Sequence, residues 1–402
     1  MSDPVRLLCL THNFPRYRGD YAGVFIDLLS RRLVEHGIHS TIIAPHYPDA
    51  PEYEERDELV IYRFRYTARE KDETLAYGGA MQKALLSLGG MFKFRHFLKR
   101  FRQTALKIIA EQEPDVIAGH WLMPAGIVMK QLSRRVNLPM VLSSHGTDVR
   151  LVSKFGGLSY RYFGDLGRRL ERWTFVSSYL REQILSIDPR LVSIAETLPL
   201  PHNEEVFYRD KTVNREPYLV VAVTRYTEQK RVDQLIRAFG QVADMQKEAH
   251  LALYGAGPLE DNIAELIEEN SLSGSVSMHP PVAQEKLREV YNRASVVVLN
   301  SVNEGFGLAL SEAMLCGAAV IGTRSGGIVD IIKHEKTGLL IPPDNETALA
   351  RAIGRLLQNE ALRDRLAEAG YEHARTTYAS QALAGRYAEI VRSAVASGVR
   401  QV

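Results

Sequence analysis

Short apolar runs alternate with amphipathic stretches along most of the chain. In the first half they predict strands at 5–11, 39–44, 115–118, 140–143 and 173–176. In the second half they predict strands at 218–223, 250–254, 275–278, 295–300, 319–323 and 338–341. Helical patterns, of which 24–36 is the first, separate most of these runs. Buried strands that alternate with helices are typical of parallel sheets covered on both faces, so the fold class is predicted to be α/β.

One stretch breaks this alternation near the middle of the chain. Residues 197–217 contain three prolines, several charges and little periodicity. We interpret this stretch as a linker between two doubly wound domains, 1–198 and 199–379. Ligands of such sheets bind beyond the carboxyl ends of the strands, so a cleft between the two domains is the expected site.

Composition and charge narrow the possible functions. The 402 residues are 45% hydrophobic and 24% charged, which is typical of a globular protein and excludes the disordered and fibrous classes. The formal charge of +2 argues against a dedicated nucleic-acid binder. Residues 1–200 carry 28 basic and 22 acidic groups, whereas residues 201–402 carry 22 and 26. The first half is therefore the one expected to meet an anionic surface.

The cysteine count and the hydropathy of the sequence indicate the cellular compartment of the protein. The two cysteines, Cys9 and Cys316, exclude a disulfide framework, and buried thiols are the expected state. The first residues lack the basic and apolar regions of a secretory signal, and no apolar run approaches the roughly 18 residues that span a membrane. We therefore expect a cytoplasmic protein.

The segment 300–314 carries the strongest chemical signal. An apolar strand ends near Asn300, and a loop leads into a helix that starts near Gly307, between Glu304 and Glu312. One interpretation is a structural turn with a capping glutamate. The other is a phosphate site, since open amides at a helix start favour phosphate oxygens. The candidate residues for that site are Gly305, Phe306, Gly307 and Leu308.

The separation of the two glutamates argues against one kind of chemistry. If Glu304 and Glu312 lay on one helix, their spacing would place them roughly 12 Å apart. The carboxylates of a glycosidase pair lie roughly 5–9.5 Å apart. We therefore expect the two glutamates to hold different hydroxyls of one long ligand, with a diphosphate between them.

A second candidate element follows the first strand of the second domain. Arg225 and Lys230 come directly after the run 218–223 and can supply two positive charges to a diphosphate. Solvated surface charge is the alternative interpretation. The chain contains no Asp-x-Asp metal clamp. These charges and the helix amides are therefore expected to neutralise a leaving diphosphate without a metal.

Two glycine patterns carry weaker signals. Gly255 and Gly257 follow a predicted strand, and a tight turn is their expected role. The loop after the first strand, 11–25, lacks Gly-x-Gly-x-x-Gly, which argues against a dehydrogenase that binds a dinucleotide.

Four segments together resemble the retaining GT-B glycosyltransferases of the GT4 family: 221–230, 255–258, 304–312 and 325–338. The Glu-x7-Glu pattern from Glu304 to Glu312 is the signature of that family. The resemblance implies two Rossmann-like domains that face each other across a cleft, with the C-terminal helix, 380–402, packing back on the first domain. The first domain would bind the acceptor, and the second would bind the nucleotide sugar.

The resemblance also implies roles for single residues. Glu312 would bind the ribose of the donor and Glu304 a hydroxyl of the transferred sugar, while Arg225 and Lys230 would hold the diphosphate. The backbone at Val282 resembles the segment that meets the nucleobase, although this chain has a proline where many members have a glycine.

In the first domain, three residues match the family at single positions. Gly23 stands where relatives carry a second glycine against the donor phosphates, and His120 where they carry a histidine that touches the donor sugar. Asp148 belongs to a His-Gly-Thr-Asp loop near the acceptor side. From spacing alone, a structural role for His120 is an equal alternative. The candidate catalytic residues are His120, Arg225, Lys230 and Glu304.

Residues 91–107 form a basic stretch. They include six basic and no acidic residues, and Phe94, Phe97 and Phe101 recur at helical spacing. One interpretation is a surface helix with its aromatic face in the core. The other is an amphipathic helix lying on an anionic membrane. In that case the apolar stretch 76–91 would give access to a lipid-linked acceptor.

Taken together, these features predict transfer of a hexose from a nucleoside diphosphate sugar to an acceptor hydroxyl, with retention at the anomeric carbon. The acceptor would be a glycan or a lipid-linked group, and neither a cofactor nor a metal would be needed. The alternatives are a sugar-nucleotide epimerase or glycan phosphorylase of the same architecture, a dehydrogenase, and an inactive module that binds nucleotide sugars.

Overall fold

The chain forms two units in the computed structural model, which describes residues 4–20, 22–73, 75–77, 81, 84, 87–150 and 157–398. One unit consists of Met1–Pro201 with Ser380–Val402, and the other of His202–Ala379. The division lies at 201/202 instead of the expected 198/199, within the proline-containing stretch.

The first unit is built on a sheet of eight strands within the described ranges: β1 (Val5–Leu10), β2 (Ile38–Pro45), β3 (Tyr53–Arg56), β4 (Leu59–Phe64), β5 (Val116–His120), β6 (Met140–Ser144), β7 (Arg172–Phe175) and β8 (Ala195–Thr197). Their order is β3-β4-β2-β1-β5-β6-β7-β8, and all neighbours are parallel except β3 and β4. β5 and β6 are buried along their whole length, as expected of central parallel strands.

The sequence pattern missed three strands of this sheet. β3 and β8 lie at its two edges and are short. β4 alternates buried with partly buried positions over part of its length. The missed strands therefore lack the fully buried apolar pattern that marked the central ones.

Five α-helices lie between these strands within the described ranges: α1 (Val24–Val34), α2 (Leu88–Gln112), α3 (Ile127–Leu132), α4 (Gly157–Gly167) and α5 (Ser178–Ile187). Phe94, Phe97 and Phe101 of α2 are buried. Phe101 stacks on Phe64 of β4, with ring centroids 4.7 Å apart. The aromatic face of α2 therefore lies in the core, as the first interpretation of 91–107 predicts, and is not available to a membrane.

The region before α2 is described only in part. Residues 74, 78–80, 82–83 and 85–86 lie outside the described ranges, so the predicted access segment 76–91 falls partly outside them. Among the helices that the structure does describe, none combines the length and the apolar character needed to cross a bilayer.

The second unit is built on six strands: β9 (Glu216–Val223), β10 (His250–Tyr254), β11 (Val276–His279), β12 (Ala294–Leu299), β13 (Ala319–Thr323) and β14 (Leu339–Ile341). The order is β11-β10-β9-β12-β13-β14, and all neighbours are parallel. The helices are α6 (Val232–Met245), α7 (Glu260–Glu269), α8 (Gln284–Arg293), α9 (Leu308–Leu315), α10 (Ile328–Ile331), α11 (Glu346–Gln358) and α12 (Glu360–Thr377). β12 is buried at every position, and α6 buries an apolar face in the same core.

The last helix, α13 (Ser380–Gly398), returns to the first unit and packs against α1. Arg32 Nε donates to Ser380 Oγ at 3.2 Å, and Arg392 Nη2 donates to the carbonyl of His36 at 2.6 Å. The predicted return of the C-terminal helix is therefore confirmed.

Each sheet has a point at which the strand order reverses. In the second unit the chain passes outward from β9 to β10 and β11, then returns to β12 on the other side of β9. In the first unit β1 occupies the same place between β2 and β5. Ligands of doubly wound sheets bind at the carboxyl ends of the strands at such points. The loops after β9 and β12, and those after β1 and β5, are therefore the expected binding loops.

Candidate active site

The loops after β9 and β12 carry the predicted ionic residues. Lys230 ends the turn Glu228–Lys230 after β9, and Glu304 lies in the loop after β12. Lys230 Nζ lies 2.5 Å from Glu304 Oε2, and the two side chains are only 12% and 17% exposed. Arg225 lies on the loop of Lys230 but is exposed. The structure thus joins Lys230 and Glu304 in an ion pair and leaves Arg225 open to solvent.

A main-chain and a side-chain hydrogen bond connect these two loops. Val302 N donates to the carbonyl of Gln229 at 2.9 Å, and Gln229 Nε2 donates to the carbonyl of Asn303 at 3.2 Å. The ion pair therefore sits on two loops whose backbones are fixed to each other.

A third loop, after β13, supports Glu304. Gly327 N donates to the Glu304 carbonyl at 2.8 Å, and Ser325 Oγ accepts from Asn303 N at 3.0 Å. Gly326 has a φ of +61°, and a Cβ there would lie 2.5 Å from Glu304 N and 2.3 Å from its carbonyl oxygen. Only glycine fits at this position, so the backbone of Glu304 is fixed by close contact with Gly326.

The two glycines of the Gly-x-Gly pattern support the loop of Arg225. A Cβ at Gly255 would lie 1.8 Å from the Thr224 carbonyl oxygen, and one at Gly257 would lie 2.4 Å from that of Tyr226. Tyr226 N also donates to the Ala256 carbonyl at 3.0 Å. The predicted tight turn is present, since Glu260 N donates to the Gly257 carbonyl at 3.2 Å. The two glycines also allow two loops to meet backbone to backbone.

Helix α9 begins where the sequence predicts. Gly307 caps it with a φ of +113°, in the left-handed region that favours glycine. Within the described ranges, the amides of Phe306, Gly307 and Leu308 donate to no protein acceptor. Gly305 is buried, and the Phe306 ring packs edge-on against Tyr378 with centroids 5.5 Å apart. Open amides at the positive end of a helix can bind a phosphate.

The helical estimate of the distance between the two glutamates does not hold. α9 starts at Leu308, so Glu304 lies in the loop before it and only Glu312 lies on the helix. Glu304 is positioned by its contacts with the loops after β9 and β13, and Glu312 by the helix itself. The two carboxylates therefore belong to different structural elements.

Glu312 is partly buried. Its Oε2 lies 3.5 Å from the hydroxyl of Tyr291, a side chain of α8 that is fully buried. Burial raises the pKa of Glu312 to about 7 and raises the pKa of Tyr291 well above its usual range. Near neutral pH, Glu312 can therefore accept a hydrogen bond from a ligand hydroxyl as a carboxylate or donate one as an acid.

Val282 lies in the loop between β11 and α8 and is half-buried. β11 forms the edge of the sheet, two strands away from β9. This places Val282 to one side of the binding loops, and its contact with a nucleobase stays a prediction.

In the first unit, Gly23 opens helix α1. Its φ is +64°, and a Cβ there would lie 2.1 Å from the carbonyl oxygen of Asn13. Any other residue would separate the helix start from the loop after β1, so the position requires glycine.

A cluster of rings surrounds His120, which ends β5 and is 3% exposed. Its Nδ1 lies 3.0 Å from Nε2 of His145, the residue that follows β6. The Trp121 ring packs against both His145 and His12, with centroids 4.5 and 4.6 Å away. The sequence analysis quoted His145 only as part of a loop, although its place after the strand beside β5 signals this contact.

Burial keeps these histidines neutral. It lowers the pKa of His120 to about 3 and that of His12 to about 4. Burial also lowers the pKa of His145 well below its usual 6.5. One imidazole of the His120–His145 pair donates a hydrogen bond and the other accepts it, so this cluster can orient a ligand but adds no charge.

The carboxylate of Asp148 is held by backbone amides, which gives it a supporting role. Its carboxylate accepts from Leu122 N at 2.9 Å, from Gly146 N at 2.9 Å and from His145 N at 3.2 Å. The residue is 3% exposed, and burial raises its pKa. Because its oxygens are occupied by backbone amides, Asp148 joins the loops after β5 and β6 and is poorly placed to bind a substrate directly.

The sequence matches two family models. Residues 22–195 match the model described as glycosyltransferase family 4, and residues 204–373 match the one described as glycosyl transferases group 1. The chain belongs to the GT4-type glycosyltransferases. The family resemblance of the Glu304–Glu312 segment is therefore confirmed.

Two curated relatives of this glycosyltransferase cover most of its length. An uncharacterized glycosyltransferase of Methanocaldococcus jannaschii is 26% identical over 375 residues, which cover 87% of this chain and 88% of the relative. N-acetyl-alpha-D-glucosaminyl L-malate synthase of Bacillus anthracis is 26% identical over 298 residues, which cover 70% and 76%.

Solved structures share the fold. Sucrose-phosphate synthase from Thermosynechococcus elongatus has a TM-score of 0.79 at 21% identity, covering 98% of this chain and 100% of that chain. Anabaena HepE in complex with UDP and glucose has a TM-score of 0.72 at 16% identity, covering 97% and 100%. The predicted GT-B fold class is confirmed.

Proposed function

We propose that this glycosyltransferase moves a hexose from a nucleoside diphosphate sugar to an acceptor hydroxyl, with retention at the anomeric carbon. The observation that carries the proposal is the ion pair between Lys230 and Glu304 in the loops at the strand reversal. Glu304 lies two residues before the open amides of 306–308. HepE, a protein of the same fold, was solved with UDP and glucose. That complex supports a donor of the same class here.

The proposed chemistry needs no protein nucleophile. The acceptor oxygen attacks the anomeric carbon on the face from which the diphosphate leaves. The bond from that carbon to the phosphate oxygen breaks, and the acceptor proton passes to the departing phosphate. Lys230, Arg225 and the amides of 306–308 stabilise the negative charge that develops on the diphosphate. Because the sequence has no Asp-x-Asp pair, we propose that these groups act without a metal.

The ion pair gives Glu304 and Lys230 complementary roles. Lys230 is held in place by Glu304 before the donor binds, so little reorganisation accompanies charge development. Glu304 accepts a hydrogen bond from a hydroxyl of the transferred sugar, and Glu312 does the same for the ribose. His120, neutral and held by His145, orients the sugar from the first unit, where the Gly23 amide is a further contact.

The acceptor is proposed to be a hydroxyl on a glycan or a lipid-linked group at the cytoplasmic face of a membrane. TarM, whose fold is similar with a TM-score of 0.61 over 73% of this chain, was solved with UDP and alpha-GlcNAc-glycerol. Since the aromatic face of α2 is buried, contact of 91–107 with an anionic surface would depend mainly on the outward basic side chains.

A donor screen tests the proposal. UDP-, GDP- and ADP-sugars are added to the protein, and thermal stability and release of nucleoside diphosphate are measured. The expected result is stabilisation by one donor class, followed by release of its diphosphate when an acceptor is present. Conversion of the sugar without release of diphosphate would indicate an epimerase. Formation of a sugar 1-phosphate from a glycan and inorganic phosphate, without any nucleotide sugar, would indicate a glycan phosphorylase. Binding without any turnover across acceptors would indicate a binding module.

A further inference from the structure

A basic groove lies between α2 and α3, and none of its lining residues belongs to the candidate active site. It encloses about 560 Å³, within the range of small-ligand pockets. Arg95, Lys99, Arg102 and His96 line one side, together with Gln131 of α3. No carboxylate lines the groove, and α2 itself has no acidic residue before Glu111.

The cations of this groove have no carboxylate partner within the ranges that the structure describes. Other basic side chains of the first unit have carboxylate partners, such as Lys130, whose Nζ lies 3.0 Å from Asp165 Oδ2. In the described part of the chain, Arg95, Lys99 and Arg102 form no ion pair. Three cations lining one groove without counter-charge repel one another, and an anion would relieve that repulsion.

Arg102 is held in place within the groove. Its Nη1 donates to Gln131 Oε1 at 3.0 Å, which fixes the guanidinium between the two helices. Its Nε is buried and has no acceptor among the described residues. A guanidinium fixed in this way, beside the two exposed cations Arg95 and Lys99, is suited to a phosphate because its N–H groups match the geometry of phosphate oxygens.

An apolar tip adjoins the groove at the start of α2. Phe92, which lines the groove, is 75% exposed, while Leu88 and Met91 are 88% and 48% exposed. This tip is separate from the buried Phe94, Phe97 and Phe101 of the same helix. Cations beside exposed apolar side chains suit an amphiphile whose phosphate enters the groove and whose apolar part rests on the tip.

We propose that the α2–α3 groove binds a phosphate ester as a site separate from the nucleotide-sugar site. Arg95, Lys99 and Arg102 hold the phosphate, and Phe92 contacts the group that carries it. The phosphate can belong to a lipid headgroup or to a soluble ester, and the chemistry recognised is the same. The proposal does not depend on the donor site, because none of the groove residues takes part in donor binding.

Two matched double variants test the groove. Arg95→Gln with Lys99→Gln removes two groove charges and leaves Arg102 and its bond to Gln131 intact. Lys93→Gln with Lys107→Gln removes two charges from exposed positions of the same helix that do not line the groove. Each protein is tested by calorimetry with glycerol 3-phosphate. Each is also sedimented with vesicles of phosphatidylcholine alone or with phosphatidylglycerol.

The proposal expects the groove variant to bind the phosphate about tenfold or more weakly than the control variant. If the groove variant loses binding of glycerol 3-phosphate in calorimetry, the ligand is a soluble ester. If it loses only binding to phosphatidylglycerol vesicles, the ligand is a lipid headgroup, and Phe92→Ser should then weaken vesicle binding as well. Equal loss in both double variants, or no binding by the unmodified protein in either assay, overturns the proposal. Stabilisation by the nucleotide-sugar donor is expected to be unchanged in both variants, so this result is independent of the proposed transfer activity.

Discussion

The binding loops of the two units differ in how they are built. In the second unit, the loops after β9 and β12 carry an ion pair, an exposed arginine and open amides. In the first unit, the loops after β1, β5 and β6 carry neutral histidines, a tryptophan and a buried aspartate that binds backbone amides. The loops at the strand ends therefore differ in charge, with an ion pair and an exposed cation in the second unit and neutral imidazoles in the first.

This difference suits the two ends of the proposed donor. A diphosphate gains negative charge as it leaves, so cations and amides in fixed positions lower the barrier. A hexose carries no charge, and neutral hydrogen-bonding groups are sufficient to orient it. The comparison predicts that charge changes in the second unit affect turnover most, and that changes in the first unit affect positioning and stability.

The largest effect is expected from Lys230→Ala. Removing the cation leaves Glu304 without its partner and the diphosphate without a fixed charge, so turnover should fall by about 100-fold or more. Steady-state release of nucleoside diphosphate measures it. The double variant Lys230→Ala with Glu304→Gln should be less impaired than the product of the two single effects, because the pair acts as a unit. Additive losses would contradict the shared role.

Gly326→Ala is expected to have the next largest effect. A Cβ at Gly326 would lie 2.3 Å from the Glu304 carbonyl oxygen, so the loop must shift and Glu304 must move with it. Turnover should fall by about tenfold to 100-fold. Gly354→Ala is the matched control, because Gly354 lies in α11 with no atom near its Cβ position. That control should keep its turnover. Equal losses of turnover in both variants would show that the effect of Gly326 does not depend on its contact with Glu304.

In the first unit, Asp148→Ala should mainly lower the free energy of unfolding, and its effect on turnover should be smaller. The change leaves the amides of Leu122, His145 and Gly146 without an acceptor, at a cost of about 1–3 kcal/mol in the free energy of unfolding. Denaturant titration measures this cost. Asp148→Asn keeps one oxygen acceptor and should lose less. An unchanged unfolding midpoint in Asp148→Ala would contradict the supporting role.

The smallest expected effect concerns how the free energy of unfolding depends on pH, to which Glu312 of the second unit and His120 of the first contribute in opposite directions. The pKa of Glu312 is raised in the fold to about 7, so burial of its neutral form favours folding at low pH. That contribution is lost as the pH rises from about 4.5 through about 7. The pKa of His120 is lowered to about 3, so its contribution is present above about 6.5 and is lost as the pH falls through about 3.

Single variants separate these two contributions. Glu312→Gln should flatten the decline in the free energy of unfolding between about pH 5 and 8, and His120→Asn should flatten the decline on the acid side of about pH 6. Denaturant titrations over that pH range measure both slopes. If Glu312→Gln leaves the slope above pH 5 unchanged, Glu312 is ionised throughout and its pKa is not raised.

Local pattern was enough to predict part of this molecule. The buried strands β9 and β12, the start of α9 near Gly307 and the glycine at the start of α1 follow from apolar runs and from residues that punctuate them. Candidate residues that follow such strands lie in the loops at the strand ends, because parallel strands place their carboxyl ends on one edge of the sheet.

Contacts between loops could not be predicted in the same way. The Gly255 and Gly257 contacts with residues 224–226, the Gly326 contact with Glu304 and the His120–His145 pair join segments that are distant in sequence. Their existence depends on the order of strands in the sheet, which periodicity does not give. The helical spacing of Glu304 and Glu312 failed for a related reason, since tertiary contacts hold Glu304 in a loop.

The second unit, His202–Ala379, is a single uninterrupted segment whose two ends meet: His202 N donates to the Tyr378 carbonyl at 3.1 Å. The first unit is made of two pieces that flank it. This layout gives the second unit adjacent ends. Replacing it with the corresponding segment of a relative would need only two neighbouring junctions. If the second unit binds the donor as proposed, such an exchange would change donor preference while the first unit keeps its own sequence.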